Sequence, residues 1–131
     1  MNDLKNYFEE KSGFGVLSTA GAKGDVNAAV YSRPHFMADG TIAFIMQDRL
    51  SHKNVSETGK AHYLFREQGS HYDGKRMALT MLRESDDPGL IEDLRRRRPH
   101  EHVDKLLFVV FFKIENVSPL IGSGPNLKKS E

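Results

Sequence analysis

Behind Asp3, a good helix cap, the apolar residues Leu4, Tyr7 and Phe8 recur at helical spacing, and Ser12-Gly13 reads as a stop. The chain therefore opens with a short amphipathic helix. From there the pattern changes to alternation. Residues 14–19 predict a first strand, 20–25 a Gly-rich turn, and 26–36 a second strand ending around Arg33-Pro34. Asp39-Gly40 is a hairpin signal ahead of a third strand over 41–47. A one-to-two-turn helix over 51–58 is closed by Gly59, and a fourth strand follows over 61–67. After a Gly/Ser/Asp loop comes a fifth strand over 75–83, in which Met77, Leu79 and Met81 alternate with Ala78 and Thr80. Asp87 at a cap, Pro88 in the first turn, Leu90, Ile91 and Leu94 on one face and Pro99 beyond the end then mark a further helix.

The last strand, over 105–116, contains the run Leu106-Leu107-Phe108-Val109-Val110-Phe111-Phe112, which has no polar face. A strand of an antiparallel sheet with one side in water alternates, so both faces of this one must be covered. Six strands with short helices between them predict a mainly β, closed or nearly closed antiparallel barrel, which leaves no long exposed edge. A barrel interior covers one face of the last strand. The other needs a helix or a second subunit, and the shortness of the predicted helices favours a subunit.

Composition narrows the chemistry. At 131 residues, 38% hydrophobic and 28% charged, the chain reads as one domain over 1–131, with a tail over 122–131 rich in Gly and Lys expected to be mobile. The absence of Cys excludes disulfides, thiolate metal sites and a cysteine nucleophile. With 19 Lys plus Arg against 18 Asp plus Glu, there is no global pull toward nucleic acid or an anionic membrane. No apolar run approaches the roughly 20 residues of a membrane helix, and residues 1–11 lack a signal or transit pattern, so the expectation is a cytoplasmic protein.

The most informative stretch is Gln47-Asp48-Arg49-Leu50-Ser51-His52-Lys53-Asn54, which leaves a strand and opens a helix. With Ser51 as its cap, the first-turn N–H groups and the positive end of the helix dipole would face outward, joined by Arg49, His52 and Lys53. That collection suits a phosphate monoester. The competing reading is a plain helix cap with solvated basic neighbours. On the second strand, the small face of Ala28, Val30 and Ser32 would admit a flat ligand while Tyr31 and Arg33 point the other way, which an ordinary barrel strand also explains.

The run Tyr31-Ser32-Arg33-Pro34-His35-Phe36 through Ile45-Met46-Gln47 to Asn54-Val55, closed by Ala61-His62-Tyr63-Leu64-Phe65, resembles the FMN-binding split barrel of the pyridoxamine 5′-phosphate oxidase-like superfamily. The resemblance spans residues 4–120. It implies a six-stranded antiparallel split barrel of Greek-key type with short flanking helices, and a homodimer with FMN at the subunit interface. It also implies cofactor contacts from Val30, Tyr31, Ser32 and Arg33, from Ile45, Met46 and Gln47, and from Arg49, Leu50 and Ser51 with His52 and Lys53 beside them. Counted back from Asn54-Val55, the family's Ser falls on Arg49 and its Lys on Ser51, so the donors stand in exchanged order. The residues after Pro119 contain neither Arg nor His, whereas the true pyridoxamine phosphate oxidase carries an Arg-x-His motif in a longer C-terminal segment. A small member with an unidentified substrate or redox partner is implied: an FMN-dependent oxidoreductase, or else a flavin-binding electron carrier, or a barrel holding haem or a deazaflavin.

Other motifs are weaker. His100-Glu101-His102 lacks a third ligand at recognisable spacing, so no metal is expected. The run from Arg95 to Arg98 ends a helix, where cations complement the dipole, and lacks the interleaved aromatics of a nucleic-acid site, so no nucleic-acid partner is expected.

Overall fold

A computed structural model of the chain describes residues 2–69, 71–97 and 106–122. Among these residues, seven strands and three helices follow one another as α1 (Asn2–Glu10), β1 (Gly13–Ala20), β2 (Val26–Val30), β3 (His35–Phe36), β4 (Ile42–Gln47), α2 (Leu50–Thr58), β5 (Lys60–Glu67), β6 (Gly74–Ser85), α3 (Pro88–Arg97) and β7 (Leu107–Pro119). The strands form one antiparallel sheet in the order β2-β1-β5-β6-β7-β4-β3. The sheet curls until its two ends approach, and Tyr31, just past β2, packs edge-on against Phe44 of β4 with ring centroids 5.7 Å apart. The β6–β7 ladder shifts register between Ala78 and Leu79 and again between Met81 and Arg83, and such irregularities bend a strand pair. The result is a split barrel.

Its interior holds Leu17, Phe44, Met46, Tyr63, Phe65, Met77 and Phe112, all buried. The expected first helix closes one end of this interior, with Phe8 of α1 inserted against Phe36 and Phe65. A Cβ on Gly15 would collide with the Tyr63 hydroxyl, so only glycine lets β1 pass over that ring. The Asp39-Gly40 hairpin forms as its sequence predicts: Asp39 accepts from the Thr41 amide at 3.0 Å and its hydroxyl at 2.7 Å.

Two expectations are corrected. Residues 26–36 do not form one strand: the chain leaves the β1 ladder at Tyr31 and resumes pairing at His35, which gives seven strands in place of six. Pro34, with no N–H to donate, stands in the break. The second face of the last strand is covered by a helix of the same chain. Val110 and Phe112 point into the barrel, whereas Val109 and Phe111 are buried beneath Ile91 and Leu94 of α3. Burying one apolar side chain is worth about 1.5–3 kcal/mol, so a ten-residue helix with three or four apolar residues on one face suffices, short as it is. Asp87 caps α3 as expected, accepting from the Leu90 amide at 3.3 Å. Pro99, Arg98, the His100-Glu101-His102 stretch and the tail beyond Gly122 lie outside the described residues.

Candidate functional site

The strand-to-helix turn after β4 organises the site. Gln47 ends β4, Asp48 and Arg49 make the turn, and α2 begins at Leu50 with Arg49 as its N-cap residue in extended conformation. The Lys53 amide closes the first helical bond onto the Arg49 carbonyl at 2.9 Å. No side chain caps this end, so the first-turn amides of α2 are left for another acceptor. The Arg49 guanidinium has no partner among the described residues. It lines an open depression of about 610 Å³ together with Asp48, Leu50, His52, Lys53 and Ser56.

Ser51 is not the cap. It lies within the helix, buried, and accepts from the Asn27 amide at 3.2 Å. The phenol of Tyr31 faces the same hydroxyl; burial raises its pKa, and the Ser51 hydroxyl beside it draws that partly back. Two residues of the predicted site, Tyr31 and Ser51, are thus brought together across the split, with Asn27 as a third member that the sequence did not mark.

His52 is also placed differently from its expected role. It is buried and lies flat on Phe108, centroids 4.2 Å apart and planes 12° from parallel. Its Nδ1 meets Asp48 Oδ1 at 3.0 Å and its Nε2 meets Glu84 Oε1 at 2.8 Å. Burial alone would lower its pKa, but the bonds to Glu84 and Asp48 and their charges outweigh burial and raise it. A ring with both nitrogens on carboxylates has none left for a phosphate. Lys53 is committed as well, to Glu57 at 2.7 Å, and each of these exposed groups favours the charged form of the other. Glu84 and Phe108 come from β6 and β7, and nothing local in the sequence joins them to His52.

On the other side of the split, Val30 is 67% exposed and Ser32 is exposed, whereas Arg33 is turned away. Its Nη1 donates to the main-chain carbonyls of Phe8 at 2.9 Å and Lys11 at 2.7 Å, tying down the end of α1. In β4, Met46 points into the barrel interior and Ile45 outward toward α3, with Gln47 at the rim. Of the predicted set, Tyr31, Arg49, Leu50 and Ser51 converge on the start of α2, Gln47 ends β4 just before that turn, Val30 and Ser32 are exposed, and Ile45 faces α3. Arg33, Met46, His52 and Lys53 have their side chains engaged elsewhere. Among the described residues no group of three His, Cys, Asp or Glu side chains is arranged to hold a metal ion, and no helix is long and apolar enough to cross a membrane.

The same architecture recurs in solved structures. An FMN-binding protein from Syntrophomonas wolfei superposes with a TM-score of 0.72 at 21% identity, covering 91% of this chain and 84% of that one. This chain has the fold of the pyridoxamine 5′-phosphate oxidase-like, FMN-binding split barrels. HupZ from Group A Streptococcus shares the split barrel with a TM-score of 0.71 at 16% identity over 96% of this chain and 98% of that one. An F420 reductase does so with 0.64 at 13% identity over 86% and 94%. No family model and no curated protein matches the chain.

Proposed function

We propose that this split barrel binds FMN as a homodimer and works as an oxidoreductase between a reduced donor and an acceptor. The observation that carries the reading is the uncapped start of α2 beside the unpartnered Arg49 guanidinium. Free first-turn amides, the helix dipole and a guanidinium fork form a donor set that suits a phosphate monoester. The donor set is narrower than the sequence implied, since His52 and Lys53 are taken up by carboxylates. Exposed Val30 and Leu50 offer apolar contact for a flat ring, and Tyr31 and Ser51 add hydroxyls at the inner side. A bound flavin would supply two-electron chemistry at N5, which side chains cannot. The residues of this chain would hold the phosphate, shield one ring face and keep the barrel side dry.

The second copy fits the outer face of β2, β1 and β5. Register and alternation put Phe14, Val16, Val26, Val30 and Leu64 on that one face, with Val26 74% and Phe14 55% exposed. Exposed apolar side chains grouped in this way, rimmed by the polar Lys60, His62 and Arg66 of β5, mark an interaction site, and the group runs up to Val30 at the edge of the cofactor region. This face takes over the role that the last strand was expected to play.

The test is the absorption spectrum of the purified protein, then FMN titration and anaerobic addition of reduced nicotinamides. Stoichiometric FMN that is reduced and reoxidised with turnover supports the reading. Bound flavin that no donor reduces points to a carrier. Because an F420 reductase shares the fold, a deazaflavin is the second reading, and preference for it over FMN in the same titration would replace the first.

A further inference from the structure

His52 joins three parts of the barrel. It belongs to the first turn of α2, its ring rests on Phe108 of β7, and its nitrogens reach Asp48 before the helix and Glu84 at the end of β6. Carboxylate oxygens only accept, so both contacts are hydrogen bonds only when both ring nitrogens carry protons. A neutral ring has one N–H, and its bare nitrogen would face a carboxylate lone pair with lone pair. The charged ring is the form this geometry fits.

The surrounding charges make that proton matter. Asp48, Arg49, His52 and Lys53 line the same depression, Glu57 neutralises Lys53, and Arg83 beside Glu84 is turned onto the Phe111 ring with its guanidinium carbon 3.8 Å from the centroid. Phe108, the contact from β7, is uncharged. With His52 protonated, its charge and that of Arg49 balance Asp48 and Glu84. Without it the acids exceed the bases by one, at the mouth where an anion would arrive.

We propose that His52 is a proton-operated latch: as the imidazolium it pins the first turn of α2 to β6 and β7 and offsets the two acids. On losing its proton it frees the turn and leaves the depression repelling anions. Applied to FMN, this rests on the function proposed above and adds its regulation, tight phosphate binding at low pH and weaker binding as His52 deprotonates. The hydrogen bonds from the ring to Glu84 and Asp48, outweighing its burial, place that transition above the ordinary histidine value.

The latch is tested on the ligand-free protein by NMR titration of the His52 ring and by hydrogen exchange of the amides of residues 50–54. A pKa above about 6.5, lowered by Glu84→Gln, with protection of those amides relative to their intrinsic exchange rate falling above it, is expected. A pKa at or below the ordinary value, or one indifferent to Glu84→Gln, overturns the latch. FMN affinity is then measured from pH 5.5 to 8.5 in wild type and His52→Gln, with riboflavin as control. The titration of the FMN phosphate is common to both proteins and cancels in their ratio. The wild-type advantage should fall about tenfold across the transition, the effect expected of one unit charge near a phosphate at a partly exposed site, and riboflavin should show no such fall. A flat ratio overturns the gating. If neither protein binds FMN at any pH, the flavin reading fails, and the latch stands or falls on the ligand-free measurements alone.

Discussion

The hydroxyl of Tyr63, at the centre of β5, donates to the main-chain carbonyl of Tyr31 at 3.1 Å, just where the chain leaves β2. Tyr63 is fully buried and sits over Gly15, so a side chain from the deepest part of the barrel fixes the backbone at the edge of the candidate site. Tyr63→Phe should cost about 0.5–1.5 kcal/mol for the lost bond, more if the Tyr31 carbonyl finds no water. Urea unfolding measures this. If the bond also holds the segment from Tyr31 to Arg33 in place, the same variant should bind FMN several-fold more weakly, whereas unchanged stability would show the bond to be dispensable.

Arg49→Ala should leave the fold intact, since the side chain is exposed, and weaken FMN ten- to a hundredfold, the equivalent of about 1.5–3 kcal/mol for a hydrogen bond to a charged group. Riboflavin, which lacks the phosphate, should bind both proteins alike. Arg96→Ala is the control: Arg96 pairs with Asp93 at 2.6 Å on α3, away from the site, and its loss should not change FMN affinity. Equal loss of FMN and riboflavin in Arg49→Ala would place the phosphate elsewhere.

The raised pKa of His52 carries a stability consequence of definite sign. The folded state holds the proton more tightly than the unfolded chain, so the added stability is complete below about pH 6.5 and is lost as pH rises through the folded-state value. Denaturant unfolding of wild type and His52→Gln between pH 5 and 9 should show the wild-type advantage shrinking over that interval. An advantage that grows with pH would mean that the neutral ring is the stabilised form.

Sedimentation equilibrium should give about twice the chain mass of 14.8 kDa. Val30→Glu, which puts a charge on the exposed outer face, should shift the equilibrium toward monomer and weaken FMN with it. Wild type found monomeric at micromolar concentration would remove the interfacial site.

Leu94→Ala separates the two ways of covering the last strand. Leu94 is buried against Val109 and Phe111, so truncation should cost about 2–5 kcal/mol. Association should be unaffected. Dissociation without loss of stability would return the covering role to a partner.

Most of the barrel was legible in the sequence because its signals are local. Alternation in 75–83, Asp39-Gly40, and the Asp87-Pro88 helix start each act within a few residues, and the structure places them as read. The site was legible as a place but not as a set of contacts. Arg49 and Ser51 were found from the strand-to-helix turn, yet whether Ser51 caps or turns inward depends on Asn27 and Tyr31, which the fold brings from 20 or more residues away. His52 and Lys53 looked like free donors because the sequence shows charge without its partners. Glu84 joins His52 only through the β6–β7 ladder. The covering of β7 is illegible for a similar reason: helix length does not decide it, and what counts is how many apolar residues, here Leu90, Ile91 and Leu94, lie on the facing side.

Arg33, held on the carbonyls of Phe8 and Lys11, makes the site directional. With that guanidinium serving as a rivet between the first helix and the loop after β2, and Lys53 held by Glu57, the cationic side chain that the described part of the predicted site leaves to a ligand is that of Arg49. A molecule lying in the split would therefore feel a gradient, from neutral walls at its ring to positive donors at its tail. Lengthening or trimming the tail should alter retention far more than decorating the ring, so this barrel would grade its ligands by the handle and tolerate variety in the head.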